Sequence, residues 1–366
     1  MVKFRLLAAF CLFVVLCFVM PLVAMSLFGQ IPQDFFVVPR SPPAYAYMRF
    51  SWPLAVVYWA CVIGLVYFWW SKYIRNFSLP IQVPAASRDR QLQHQWPRWG
   101  YVALVFWLFF WIVVWNRFSW CANLQEFTYI PLWFSFIFCL NACLQYRTGK
   151  CPLINESLFY GALFFVSAFI WWGFEYFNLF VHSWWYPRAS PDFISFFISS
   201  TLSFASVLPA LYAMQKLLAS FPRLHDRLRG PSVKGRWSSF SAALCLLLAA
   251  MAFFLVSLWP QYFYAYLWLG PLCIWFPLAR LLKIESFFPG LRQGDWRELL
   301  CWAFAGLLCG FCWEMWNSLS WVQWHYSTPY LEGLKIFEMP LAGYIGYLPF
   351  GVECAIATIW LRKLFT

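Results

Sequence analysis

The sequence is poor in charge. Only 11% of its 366 residues are Asp, Glu, Lys or Arg, whereas 63% are hydrophobic. A soluble domain needs a charged exterior, so this composition excludes a chain surrounded by water and favours lipid as the solvent of its outer surface. The chain also lacks a glycine-rich phosphate loop, an H-E-x-x-H motif and a G-x-S-x-G motif, which excludes several classes of enzyme.

Aromatic residues are abundant, at 24% of the chain. Interfacial belts of Trp and Tyr need fewer, so we expect rings to fill the interior as well. The 13 cysteines are scattered through apolar segments, and the one C-x-x-C, Cys309 to Cys312, lies inside such a segment. We favour packing residues over a redox or metal pair for these thiols.

Ten apolar segments are candidates for membrane spans, which need about 20 residues each. They cover residues 4–28, 52–72, 99–116, 130–147, 158–178, 193–217, 239–259, 263–282, 299–317 and 339–361. The sequence therefore predicts an all-α, polytopic integral membrane protein. The first segment is longer than the apolar stretch of a cleavable signal peptide, so we expect it to remain as an anchor.

The distribution of Lys and Arg supports this count. With the N-terminus in the cytoplasm, most of the 26 basic residues fall inside; the exceptions are Arg40, Arg49, Arg117, Arg188 and Lys335. A bias of this kind sets orientation, and we expect a bacterial inner (cytoplasmic) membrane protein with both termini cytoplasmic. The net charge of +12 thus indicates no nucleic-acid partner. The basic loop 216–237 could hold anionic headgroups, but we favour a role in topology.

A repeated motif divides the chain. The pattern W-N-x-x-S-W occurs at 115–120 and 316–321, with a weaker copy at 177–184. Each copy closes one apolar segment and precedes another, which predicts outward-opening hairpins. An even number of spans separates the copies, so the repeats are parallel rather than inverted. The predicted units are 1–98 (two spans and a basic loop), hairpins 99–157 and 158–238 (the second with a basic loop), a degenerate hairpin 239–298, and hairpin 299–366.

Polar residues recur at one place in the repeat. The pairs Glu175/Asn178 and Glu314/Asn317 each occupy one face of a helix, because residues three apart are neighbours. A central charge in a span costs about 2.5–3.5 kcal/mol, so such acids normally face the protein interior. Two interpretations are equally good. The acids take part in the function, or they bond to a neighbouring hairpin and hold the bundle together. Glu353 lies deeper, and we expect it to be protonated or paired with a cation.

Other polar and aromatic residues near these acids are predicted to contact a substrate: Asn116, His182, Trp184, Trp185, Arg188, Trp321, Trp324, His325, Tyr326 and Glu338. The two histidines and nearby acids could bind Zn or Fe. Their spacing is not a known ligand pattern, so we predict hydrogen-bonded histidines, no metal and an open cofactor assignment. Indole faces attract cations, by about 2 kcal/mol when desolvated, and would suit a carbocation, a cationic headgroup, a polyene or a sugar.

One stretch of the last hairpin has a familiar pattern. It consists of Trp313-Glu314, Trp324-His325-Tyr326, Gly333, Ile336, Met339-Pro340 and Glu353. This pattern resembles the membrane-embedded lycopene cyclase domain. That family closes the end of a linear carotenoid into a ring by protonating an alkene, with carboxylates and aromatics guiding the cation. The resemblance covers the last hairpin and less of 172–209. The family's Pro-Glu-Glu motif is replaced by Met339-Pro340-Leu341, with Glu338 before the proline.

The sequence therefore predicts an integral-membrane enzyme acting on an isoprenoid or other lipid. Glu314 and Glu175 would be acid and base, with Glu353 a third catalytic candidate, and Asn178 and Asn317 would orient them. The expected partners are membrane lipid and a hydrophobic lipid or isoprenoid ligand. Two alternatives stay open: a lipid or small-solute transporter using the same cavity, and a non-catalytic scaffold subunit whose carboxylates are tightly paired.

Overall fold

The computed structural model describes residues 2–365 apart from 30, 33–34, 38–50, 70, 72–94, 223, 225–227, 234–236, 285, 329 and 332. The described chain is predominantly helical, which confirms the all-α class. Some of the basic residues on which the predicted orientation depends lie outside the described residues: Arg40, Arg49, Lys72, Arg75, Arg88, Arg90, Arg223, Arg227, Lys234 and Arg236.

The described residues form helices joined by short connections. The α-helices are α1 Val2–Val14, α2 Met20–Phe28, α3 Trp52–Trp69, α4 Arg98–Trp115, α5 Tyr129–Thr148, α6 Pro152–Asn155, α7 Ser157–Val181, α8 Phe193–Ala205, α9 Val207–Ala219, α10 Ser239–Val256, α11 Pro260–Phe263, α12 Tyr266–Leu281, α13 Arg297–Asn317 and α14 Tyr347–Phe365. A π-helix, Val15–Val19, joins α1 to α2, and 3-10 helices cover Ser119–Phe127, Pro289–Gln293 and Leu341–Gly346. The strands are β1 Trp184–Trp185, β2 His325–Tyr326, β3 Lys335–Ile336 and β4 Met339–Pro340.

Eight helical segments of the described chain are long and apolar enough to cross a membrane: Phe4–Phe28, Arg98–Trp115, Tyr129–Thr148, Ser157–Val181, Phe193–Ala219, Ser239–Val256, Arg297–Asn317 and Leu341–Phe365. The other two predicted segments coincide with shorter apolar helices, Trp52–Phe68 and Tyr266–Leu281. The outer surface is apolar too: Leu158, Phe165 and Phe240 are 83%, 81% and 79% exposed. Such exposure is unfavourable in water and compatible with an integral membrane protein.

Helices that follow one another pack as pairs. These are α4 with α5, α7 with α8, α10 with α12, and α13 with α14, while α2 packs on α10. The centre of the bundle is α9, which contacts α5, α7, α13 and α14. Its residues from Val207 to Gln215 are all buried, so this half of the segment Phe193–Ala219 has no lipid-facing stripe.

The break between α8 and α9 has a local cause. Pro209 has no N–H to donate within the helix, and its ring disfavours a straight continuation from α8. The Ser167 hydroxyl, on α7, donates to the Phe204 carbonyl (2.5 Å) and accepts from the Leu208 N–H (2.9 Å). One side chain of a neighbouring helix thus satisfies two backbone groups beside the interruption, as a buried position requires.

Glycines set the close contact between α13 and α14. A Cβ atom at Gly306 would overlap the Tyr347 carbonyl oxygen, and one at Gly351 would overlap the Trp302 carbonyl oxygen. Gly310, one turn after Gly306, lies against the Tyr347 ring. Small residues spaced in this way let two helix backbones approach closely. The contact fixes where α14 begins, and with it the position of Tyr347.

We expect Gly351→Ala to destabilise the protein by about 1–3 kcal/mol, because the added methyl group must separate two backbones in direct contact. Thermal unfolding in detergent measures this. Gly161→Ala is the matched control: the position on α7 has open space around it, and alanine there should stabilise the helix by up to about 1 kcal/mol. Equal effects of the two substitutions would contradict the proposed packing.

An ionic cluster ties helix ends together on the side opposite the hairpin motif. Glu156, just before α7, accepts hydrogen bonds from Arg362 of α14 and from the Tyr212 hydroxyl of α9 (2.9 Å). Burial alone would raise the pKa of Glu156, but these two donors outweigh it and lower the pKa below its ordinary 4.5. The negative charge therefore favours the folded state.

A depressed carboxyl pKa contributes stability above the unfolded value and loses it as the pH falls through the folded value. We therefore expect the stabilisation from Glu156 to be complete at pH 7 and to decline from about pH 5 downward. Glu156→Gln should lower stability at pH 7 by about 0.5–1 kcal/mol, since the pair is partly exposed. Thermal melting of both proteins across pH 4–7 tests this, and curves that stay parallel down to pH 4 would refute it.

Candidate functional site

The asparagines of the repeated pairs fold the following loops back onto their helices. Asn178 donates to the Trp184 carbonyl (2.8 Å) and accepts from the Ser183 N–H (2.7 Å). Asn317 donates to the Trp324 carbonyl (2.8 Å) and accepts from the Trp324 N–H (2.9 Å). Both side chains are buried. The four hydrogen bonds just described all join them to the backbone of the following loop. They therefore hold the loops in place rather than face a ligand.

The two loops meet as a short antiparallel ladder. Trp184 pairs with Tyr326, and Trp185 pairs with His325. The Ser327 N–H continues the ladder by donating to the Ser183 carbonyl (2.8 Å). Since Trp185 and His325 are the central residues of W-x-Y triplets in the two loops, corresponding positions face each other across the ladder. The ends of α7 and α13 are consequently on the same side of the bundle.

Each glutamate of the pairs accepts two hydrogen bonds on one carboxylate oxygen. Glu175 Oε1 accepts from the Trp184 indole (2.9 Å) and the Tyr186 hydroxyl (2.6 Å). Glu314 Oε1 accepts from the hydroxyls of Tyr326 (2.7 Å) and Tyr347 (2.6 Å).

Glu314 is fully buried, and its second oxygen has no hydrogen-bond partner among the described residues. Among those residues, no Lys or Arg forms a salt bridge with Glu175 or Glu314. Neutral aromatic donors therefore compensate both carboxyl groups, and the unbonded oxygen of Glu314 can accept one more donor.

These donors form part of the wall of one cavity of about 100 Å³. Its walls are mostly aromatic and serine side chains: Glu126, Tyr129, Trp171, Trp184, Tyr186, Ala189, Ser190, Phe196, Ser199, Ser200, Ser203, Phe204, Val207, Trp268, Trp313, Val322, Trp324, Tyr326 and Tyr347. Neither Glu175 nor Glu314 is among them. The two acids lie one layer behind, each in hydrogen-bond contact with phenols that do line the cavity.

The phenols outside the apolar segments are held in their neutral form. Burial raises the pKa of Tyr186 and of Tyr326 well above the ordinary value of 10, and the neighbouring Glu175 and Glu314 raise each further. Near neutral pH both phenols remain protonated, and their hydroxyls donate to the carboxylates. The Trp324 indole in turn donates to the Tyr326 hydroxyl (2.8 Å), which fixes the orientation of that phenol.

The remaining predicted residues lie outside this cavity. Asn116 donates to the Ile112 carbonyl of its own helix (2.6 Å), on an exposed surface. His182 ends α7 with a positive φ of 47°. His325 forms a 3.1 Å contact with Glu338 and lies beside the Trp185 ring. No cluster of three or more metal-ligating side chains occurs within the described ranges.

Glu353 also lies apart from the cavity. It is in the middle of α14, and both of its carboxylate oxygens are buried without a hydrogen-bond partner among the described residues. The thiols of Cys17 and Cys273 are close enough to interact electrostatically with its carboxyl group. Glu353, the third catalytic candidate, is therefore not part of the arrangement around Glu175 and Glu314, and its role stays a prediction.

Several residues of the site were missed by sequence reasoning. Tyr326 was among the predicted substrate contacts, whereas Tyr186 was not. The two close the matching triplets W-H-Y and W-W-Y, and this alignment could have identified both as partners of the acids. Tyr347 and Trp268 had no such signal, because neither belongs to a motif copy or to the loop that follows one. Arg117 was counted only for topology, yet it donates to the carbonyls of Leu319 (2.8 Å) and Ser320 (3.1 Å) in the other copy.

Comparison with known proteins adds no further constraint on this site. No protein-family model matches the chain, and neither a curated protein nor a solved structure is significantly similar to it. The assignment of the site therefore depends on its own chemistry.

We expect Asn317→Ala to destabilise the protein by about 1–3 kcal/mol, because the Trp324 N–H and carbonyl lose a buried partner. Asn116→Ala is the control from the corresponding position of the first motif copy, where the side chain is exposed. Thermal unfolding and protease cleavage after residue 317 measure the effects. If proteases cleaved this loop at the same rate in wild type and in Asn317→Ala, the proposed role of Asn317 in holding the loop would be refuted.

Proposed function

We propose that this chain is an integral membrane enzyme of ten spans that acts on an isoprenoid or other lipid in the aromatic cavity. The observation that carries the proposal is the layered wall: cavity-lining phenols with buried glutamates directly behind them. Such pairs can move a proton to or from a bound molecule, while the surrounding rings attract positive charge.

The ends of the helices favour a cavity on the non-cytoplasmic side. Helix α5 begins at the cavity with Tyr129 and carries Arg147 in its last turn, while α14 begins with Tyr347 and carries Arg362 in its last turn. Helix α13 has the reverse direction and begins with Arg297. Basic residues thus gather at the end opposite the cavity, as expected for cytoplasmic ends, and both termini are then cytoplasmic.

The ladder between β1 and β2 supports parallel repeats. Corresponding residues Trp185 and His325 face each other, which is the relation that a local two-fold axis produces. Helices α7 and α13 end on the same side, so this axis runs along the membrane normal rather than in its plane. Duplicated hairpins then supply the two glutamates, one on either side of a shared pocket.

The extent of the cavity favours an enzyme over a transporter. Its lining residues run from the loops to Val207, near the middle of the segment Phe193–Ala219. None comes from the opposite helix ends, where Arg147 and Arg362 lie. A pocket accessible from one side suits chemistry on a bound chain end, and a volume of about 100 Å³, below the ~150 Å³ that accepts benzene, suits a short apolar group.

A reaction without net proton change fits the two sets of groups, Glu314 with its phenols and Glu175 with Tyr186. Glu314, in its protonated form, would pass a proton through the hydroxyl of Tyr326 or Tyr347 to a carbon–carbon double bond. The ionised Glu175 would take up a proton from the resulting cation through the Tyr186 hydroxyl. Return of that proton from Glu175 to Glu314 through solvent would restore both acids. The indole rings would stabilise the cation between these steps. The proposed resemblance to lycopene cyclases, which also protonate an alkene, agrees with this class of reaction.

A lipid-binding scaffold is the second candidate. It is favoured by the hydrogen bonds that already occupy one oxygen each of Glu175 and Glu314. In that case the same contacts only hold the hairpins together. The two candidates differ in the fate of the bound lipid, which the scaffold leaves unchanged.

The first test of the proposal identifies the bound lipid. The protein is purified in mild detergent, and its co-purifying lipids are analysed by mass spectrometry. We expect an isoprenoid or other unsaturated lipid with the wild type and at least a tenfold loss in Ser200→Phe, whose ring would fill the cavity. Cys245→Phe, on an exposed face of α10, is the control and should retain the lipid.

The second test is turnover of the lipid so identified. Glu314→Gln keeps an oxygen that can accept from Tyr326 and Tyr347, so the fold should survive, but an amide cannot exchange the proton. We expect a loss of about 100-fold or more in kcat with little change in binding. Full activity in Glu314→Gln would refute the catalytic assignment, and a folded protein that binds lipid without converting it would favour the scaffold.

A further inference from the structure

Two arginines converge on one indole at the edge of the cavity. The guanidinium carbon of Arg117 lies 5.6 Å from the centre of the Trp321 ring, and that of Arg188 lies 5.4 Å from the same centre. Arg117 arrives from the first motif copy, Trp321 from the second and Arg188 from the loop after β1. Three hairpins thus bring two positive charges to one place.

These charges have no carboxylate partner in the described part of the chain. Arg117 donates only to backbone carbonyls, those of Val114, Leu319 and Ser320. Arg188 has no hydrogen bond or salt bridge there beyond its contact with the ring. Desolvation and the neighbouring charge of Arg188 both lower the pKa of Arg117, so the arginines repel each other. An anion between them would relieve that repulsion.

The nearby acids do not supply such an anion. Glu338 accepts from Gln323 (2.9 Å) and contacts His325. Asp192 accepts from the Ser195 N–H (2.8 Å) as the cap of α8. Glu126 is the one acid among the cavity-lining residues, and none of the three forms a salt bridge with Arg117 or Arg188.

The arginines also border the cavity. Ala189 and Ser190, directly after Arg188, line it, and so does Val322, directly after Trp321. Below this rim the lining has no basic residue and is mostly apolar. A molecule that enters here meets positive charge first and aromatic walls next, which is the order of an anionic head and an apolar chain.

We propose that Arg117, Arg188 and Trp321 bind the phosphate group of a short isoprenoid phosphate whose chain enters the cavity. This rests on the proposed function and names its substrate class. Arginine forks match phosphate oxygens, and the orientation places the charged end at the membrane surface and the chain inside the bilayer. A cavity of about 100 Å³ holds the first part of such a chain.

The test is calorimetric titration of the purified protein with geranyl phosphate, inorganic phosphate and geraniol. We expect geranyl phosphate to bind at least about tenfold more tightly than either of the others. Arg188→Gln should weaken its binding by about tenfold or more, and Arg188→Lys should recover part of the loss. Arg188 makes no hydrogen bond that the fold needs, so these variants should fold.

Lys335→Gln is the charge-matched control, since Lys335 belongs to the same predicted face, and binding should stay within about twofold of wild type. Equal affinity of wild type and Arg188→Gln would overturn the proposal. Inorganic phosphate binding as tightly as geranyl phosphate would overturn the lipid assignment in favour of a free-phosphate site. Geraniol binding as tightly as its phosphate refutes this inference alone, whereas absence of binding by both isoprenoids also counts against the proposed function.

Discussion

The structure depends on how two buried carboxyl groups obtain hydrogen bonds. Glu175 and Glu314 lie near the ends of apolar helices, and no basic side chain of the described residues pairs with them. Each is compensated by aromatic donors that arrive after the chain has turned back. This requirement determines the loops: the asparagine three residues after each acid bends the chain, and a tryptophan or tyrosine of that loop then reaches the carboxylate.

The same requirement explains why the cavity is aromatic. Phenol and indole groups combine a donor with a large apolar surface, so one side chain can bond to a buried acid and also face an apolar pocket. A serine could supply the donor but not the wall. The close approach of α13 and α14 at Gly306 and Gly351 completes the arrangement, because it brings Tyr347 within 2.6 Å of Glu314.

Much of the fold followed from composition and periodicity. Apolar length located the helices, because a chain with so little charge has few alternatives. The parallel repeats and the catalytic role of the E-x-x-N acids stay predictions, while the pairing of Trp184–Trp185 with His325–Tyr326 agrees with helix ends on one side. Three parts were not accessible. The hydrogen bonds on both sides of the α8–α9 junction come from Ser167 of another helix, and the close contact at Gly306 depends on the backbone of its partner helix. The cavity is lined by residues from all four predicted hairpins between residues 99 and 366.

The contacts give the repeated asparagines a different role from the one expected. Asn178 and Asn317 were predicted to orient a substrate or an acid, yet they bond to their own loops. Polar residues at a common position were interpreted as one functional set, although a polar side chain near a helix end is equally needed to close the backbone there. A single sequence does not separate these two demands. Only the contacts show that the asparagines shape the loop and that the phenols face the cavity.

The Ser167 hydroxyl has a mechanical consequence. It joins α7 to both sides of the α8–α9 junction, through the Phe204 carbonyl and the Leu208 N–H. Any tilt of α9 must therefore pull α7 with it, or break two bonds in a place without water. The serines of α8 that line the cavity and the helix that carries Glu175 are consequently coupled at this junction.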